Sequence, residues 1–176
     1  SILCKFQDIP DEPKPLSFFQ NMYANSDPGL DHYWREVSYC AITLTNSNAA
    51  GWFTLPHPRS YYVYDMNGDE RPDFDGTRAN QDCTAVADAA VYYPNFYGIQ
   101  MMFNAELDGS AYGAKSVSFT LDGQSRTWAV TQIPPQSWLN LVGVAHEMGH
   151  GFGMPHSDNS LGQVYKNQWD VMSDTT

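Results

Sequence analysis

Positive charge is scarce in this chain. Lys and Arg number 9 against 20 Asp and Glu, for a formal net charge of −11. That balance repels phosphate backbones and argues against a nucleic-acid partner. It argues equally against anionic membrane surfaces. Long apolar runs are missing as well: no stretch of 18 apolar residues occurs, so no membrane-spanning helix is expected. Cysteine is sparse. Cys4, Cys40 and Cys83 never fall at C-x-x-C spacing, which argues against a disulfide framework and a thiolate zinc site. One bridge with a free thiol and three buried thiols are both open. There is no G-x-S-x-G elbow, no Gly-rich phosphate loop, no internal repeat and no low-complexity linker.

What is present points to one globular domain. Of 176 residues, 42% are hydrophobic and 14% aromatic, and a chain of this size buries roughly 70% of its unfolded surface. Strands are expected at Ile2–Phe6, Tyr97–Asn104 and Tyr61–Tyr64. Tyr39–Thr45 and Gly51–Leu55 read as a strand pair turned by Asn46–Ala49. Ser116–Leu121 and Arg126–Gln132 flank Asp122-Gly123, a hairpin signal. Short helices are expected at Leu16–Met22 and Leu30–Val37, and a longer Ala-rich one within Thr77–Val91. A last helix should run from Trp138, capped by Ser137, to about Gly151. Strands and helices in mixed order place the chain in the α+β or α/β class.

That last helix carries His146-Glu147-Met148-Gly149-His150, an H-E-x-x-H pattern. Residues four apart lie about 6 Å apart along a helix axis, one above the other. Two imidazoles so placed can grip one zinc ion, and the glutamate between them can take a proton from its water. On a helical wheel Trp138, Leu141, Val142, Ala145, Met148 and Phe152 share one face, with His146, Glu147 and His150 opposite. A surface histidine pair would show the same wheel. The continuation sharpens the pattern: His146 to His156 reads H-E-x-x-H-x-x-G-x-x-H. Gly153 can end the helix at positive φ and return His156 as a third ligand. Three protein ligands leave one coordination position for water, the catalytic arrangement.

On these residues the chain resembles the metzincin zinc endopeptidases, which also carry a methionine turn below the metal. Trp169-Asp170-Val171-Met172-Ser173 looks like that turn, with Met172 as its methionine. Leu30 to Tyr39 and Gly51 to Pro56 are similar to secreted bacterial metalloproteases of the immune inhibitor A type. Those place an acidic residue at the third ligand position. Asp158, two residues after His156, is therefore an alternative ligand or a partner to the ligands. Some metzincins also place a tyrosine two residues after the methionine. Here that position is Asp174, and Tyr165 is the nearest tyrosine.

The resemblance implies a zincin-like fold: a twisted mixed sheet with an active-site helix in an upper subdomain, residues 1–152. A short lower subdomain, 153–176, would end after the turn. Metzincins continue further, so this chain is expected to be either minimal there or part of a longer polypeptide. The stretch Ser116–Thr120 matches the family's substrate-binding edge strand. Ser1 to Phe6 reads as a strand already under way, which fits a processed, extracellular product.

A second metal candidate lies upstream. Asp65, Asn67, Asp69 and Asp73 fall at positions 1, 3, 5 and 9 of a calcium loop, and the Arg71 carbonyl could serve at position 7. Glycine comes at position 4 instead of 6, and position 12 is Gly76, with Asp75 beside it. A solvated acidic turn is the rival. The sequence as a whole points to a monomeric zinc endopeptidase acting on proteins or peptides, with Glu147 as general base. A silent zinc-binding module and a zinc-stabilised structural domain, closed by Asp158, are the competitors.

Overall fold

Residues 1–167 and 169–173 are described in the computed structural model. In chain order the elements are β1 (Ile2–Lys5), α1 (Leu16–Asn21), α2 (Leu30–Val37), β2 (Ala50–Thr54), α3 (Arg59–Tyr62), β3 (Val63–Tyr64) and β4 (Asp73–Phe74). Then come α4 (Gly76–Ala87), β5 (Gly98–Phe103), β6 (Tyr112–Leu121), β7 (Gln124–Ile133), α5 (Pro135–Trp138) and α6 (Leu141–Gly151). Five strands form one mixed sheet in the order β2-β1-β5-β7-β6. The first four run parallel, and only β6, at the edge, is antiparallel to its neighbour. Strands β3 and β4 make a separate small ribbon.

The unbroken apolar run of β1 has a simple cause: the sheet is covered on both faces. Ile2 and Cys4 point into one core with Ala79, Cys83 and Ala87 of α4, and with Met101, Phe103 and Trp128. Leu3 points the other way, towards Phe19 of α1, Trp34 of α2, and Val144, Ala145 and Met148 of α6. Trp138 is fully buried there and donates its indole N–H to the Phe103 carbonyl at 2.9 Å. The architecture is mixed α/β and compatible at that level with the expected α+β class. Among the described residues no helix is long and apolar enough to cross a membrane.

Several local expectations are corrected. Tyr39–Thr45 is not a strand. Tyr39, Cys40 and Asn46 sit at positive φ, and side chains of α2 hold the segment instead. Buried Asp31 accepts the Leu44 N–H and the Arg35 guanidinium, and Arg35 reaches the hydroxyls of Thr43 and Thr45. Desolvation pushes Asp31 up, but those hydrogen bonds outweigh it and hold its carboxyl below the ordinary range. Strand β2 consequently pairs with β1, in parallel, rather than closing a hairpin. The segment Tyr61–Tyr64 splits into the end of α3 and the two residues of β3. Strand β6 starts at Tyr112, four residues before the expected Ser116, with a register shift between Ala114 and Val117.

The final helix is two helices. Leu139 ends α5, and Asn140 takes an extended conformation and caps α6 through its side chain, which accepts the Val142 N–H. Ser137 is therefore not the cap. The buried face shifts with the new start: Val142 is exposed, whereas Val144 is fully buried.

Candidate metal centre

Helix α6 ends just where the third histidine needs it to. Gly153 lies at φ +89. Its N–H donates to the His150 carbonyl, and the Met154 N–H donates to the Gly149 carbonyl, both at 2.9 Å. That pair of bonds is a Schellman stop, which favours glycine at the left-handed position. The chain folds back from it and sets His156 beside the helix.

His146, His150 and His156 converge, with one ligand nitrogen from each lying within 4.8 Å of the others. Ring centroids are 4.8 Å apart for His146 and His150, 4.5 Å for His150 and His156, and 5.3 Å for His146 and His156. Two of the rings are fixed in orientation by the backbone. His146 Nδ1 lies 2.6 Å from the Val171 carbonyl, and His150 Nδ1 lies 2.9 Å from the Met154 carbonyl. A carbonyl can only accept, so each Nδ1 carries the proton and each Nε2 keeps a free lone pair. His150 Nε2 and His156 Nε2 face each other at 3.0 Å. Burial lowers the pKa of His146 and of His156, and neighbouring histidines lower both further. Neutral imidazole is the form that binds a metal.

The floor of the site is built by residues far along the chain. Met172 is buried, and its sulfur occupies the space where a Cβ on Gly149 would stand. Its backbone is fixed in turn: the Met172 N–H donates to Asp170 Oδ1, and its carbonyl accepts the Ser157 N–H. Position 149 must be glycine for this packing, although glycine inside a helix costs about 1 kcal/mol relative to alanine. On the other side β6 presses against the helix, where a Cβ on Gly113 would collide with the Glu147 carbonyl oxygen. The stretch of β6 nearest the histidines is thus around Gly113, not the expected Ser116–Thr120.

Glu147 lies between His146 and His150 in sequence and is 9% exposed. Burial pushes its carboxyl up to about 7. Tyr165 was the least constrained expectation, and the structure gives it a definite position. Its hydroxyl lies 2.7 Å from His156 Nε2 and 2.8 Å from His156 Nδ1. A small loop brings it there: Asp158 bridges to Val164, and Asn159 Oδ1 accepts the N–H groups of Leu161 and Gln163. This loop sets the tyrosine beside His156. Asp174 lies outside the described residues.

Asp158 is exposed and does not join the histidine group. Asp65, Asp69 and Asp73 do not form such a group among the described residues. Among the described residues the histidine triad is the only set of three or more such side chains within reach of one ion. The upstream acidic groups serve their own loop. Asp65 accepts the N–H groups of Asn67, Gly68 and Glu70, Asn67 that of Asp69, Asp69 that of Arg71, and Asp73 that of Met66. The chain matches no known family model, no curated protein and no solved structure.

Proposed function

We propose that the chain is a zinc endopeptidase of metzincin type, hydrolysing proteins or peptides outside the cell. One observation carries this: three histidines converge, the carbonyl bonds of His146 and His150 leave their Nε2 lone pairs free, and a buried carboxyl sits within the H-E-x-x-H run. The donor set fits zinc. Three imidazole nitrogens, two of them on carbonyl-anchored rings, suit a borderline-soft ion, and no fourth side chain closes the site among the described residues. Bound there, zinc would supply a Lewis acid that lowers the pKa of water and polarises a carbonyl.

The remaining chemistry belongs to the chain. Glu147 accepts the proton of the attacking water and returns it to the departing amine. A carboxyl raised to about 7 is matched to both halves of that exchange near neutral pH. Tyr165 offers an O–H donor beside His156, suited to an oxyanion as it develops. The edge strand β6 has one side unpaired by β7, where an extended peptide can add by main-chain hydrogen bonds. The antiparallel edge beside an active-site helix, and Met172 beneath the histidines, support the zincin-like fold and the methionine turn.

The deciding experiment is metal analysis and peptide-library cleavage on one sample. Expected are one zinc per chain and cleavage abolished by a chelator and by Glu147→Gln, which should still bind zinc. Cleavage retained by Glu147→Gln sinks the assignment. Zinc bound without any cleavage favours the silent module instead.

A further inference from the structure

A cavity of about 830 Å³ opens on the face of the sheet that carries α6, with none of the three histidines in its lining. Roughly 300–1,000 Å³ is the size range of small-molecule sites. Its floor is β5 and β7, with Gln100 and Thr131 side by side in register. Met148, Gly151 and Phe152, on the sheet side of α6, form one wall.

Two features of this cavity point to a ligand. First, it holds polar atoms without partners. Thr131 is 3% exposed, and neither its Oγ1 nor Gln100 Oε1 has a hydrogen-bond partner among the described residues. A buried polar group left unpaired is destabilising, so a pair on adjacent strands is unusual without something to satisfy it. Second, no Asp, Glu, Lys, Arg or His side chain lines it, although the chain is rich in acid, and the Ser1 amino group at the cavity donates to the Asn48 carbonyl and is pushed down to about 5 by burial, uncharged near neutral pH. An ion entering such a site would lose its water without gaining a counter-charge.

We propose that this cavity binds a neutral saccharide. Gln100 Oε1 can only accept, so the ligand must donate, and Thr131 can do either. Hydroxyls satisfy both. Tyr92 and Tyr97 are exposed at the cavity, and aromatic rings suit the C–H faces of a sugar. Asn46, Asn48 and Asn95 add amides to the lining. An apolar ligand would leave both buried atoms orphaned. An extended peptide would find no free strand edge on the floor, because β5 and β7 each have neighbours on both sides. The inference is independent of the zinc chemistry and is tested with chelator present.

The test is saturation-transfer NMR and calorimetry on the full chain with maltose, lactose and N,N′-diacetylchitobiose. Glucuronic acid serves as the charged control, and a capped Asn-Gly-Ser peptide as the rival. At least one neutral disaccharide should bind saturably, with the other two probe classes silent. Thr131→Val should weaken that binding about tenfold while leaving the melting temperature equal or higher, since it removes an unpaired hydroxyl. If Thr131→Val fails to fold, Tyr97→Ala at the exposed mouth must weaken binding by a similar factor. Three results overturn the proposal: no saturable binding of any neutral disaccharide, preference for glucuronate or the peptide, or affinity unchanged in the variants.

Discussion

Glu147 shows how much one side chain can report. Its carboxyl is raised to about 7 from an ordinary 4.5 because burial disfavours the charge. A raised folded-state pKa means stability that is complete below the unfolded value and lost as pH rises through the folded one. In chelator-treated protein, Glu147→Gln should therefore match the wild type in melting temperature near pH 4.5 and exceed it at pH 8. A difference that does not grow between those two pH values would show the carboxyl is not held uncharged by its surroundings. Tyr165 supports a kinetic prediction. Tyr165→Phe should lower kcat by about 10²–10³, the loss typical of one oxyanion donor, with KM and zinc content little changed. Zinc lost together with activity would make Tyr165 a support for His156 instead. The three histidines and Glu147 were legible because helical spacing and a single glycine fix them locally. Tyr165, Gln100 and Thr131 were not, since their neighbours are set by loop 158–164 and by the pairing of β5 with β7.

At the scale of elements, the site depends on how α6 begins and ends. Its end was readable: Gly153 takes the left-handed conformation that the H-x-x-G-x-x-H spacing demanded. Its beginning was not, because Ser137 and Asn140 are both good caps and only packing of Trp138 into the core decides between them. The missed strand start at Tyr112 has a similar cause. Gly113 and Ala114 are weak strand formers, and at Gly113 a larger residue would strike α6. Gly153→Val therefore belongs to the stop and not to the metal. A β-branched residue at φ +89 should cost about 1–3 kcal/mol and loosen His156. The readouts are a denaturant midpoint and a zinc competition titration, and both should worsen. Zinc affinity unchanged at lower stability would mean that His156 is positioned without the stop.

For the whole molecule, the sheet order was out of reach of the sequence. A parallel strand pair such as β1 and β5 joins residues nearly a hundred positions apart, and no local pattern encodes that. What the order accomplishes is to put β6 and α6 side by side at one edge and to leave residues 154–167 and 169–173 folded beneath them. That last segment has little core of its own, with Met172 and Ser173 its buried residues among those described. It is tied to the helix by the Val171 carbonyl on His146 and by His156 beside His150. Zinc would cross-link the two parts in the folded state alone, so its binding should appear as stability. At zinc on the order of 1,000 times Kd the gain is about 4 kcal/mol. At about 2–4 °C per kcal/mol for a chain of this size, the melting temperature should rise on the order of 10 °C over the chelated protein. His156→Ala should abolish most of that rise while leaving the chelated protein's melting temperature nearly unchanged, because His156 is exposed. A melting temperature indifferent to zinc in the wild type would leave the histidine triad as a mere surface cluster and remove the chemical basis for hydrolysis.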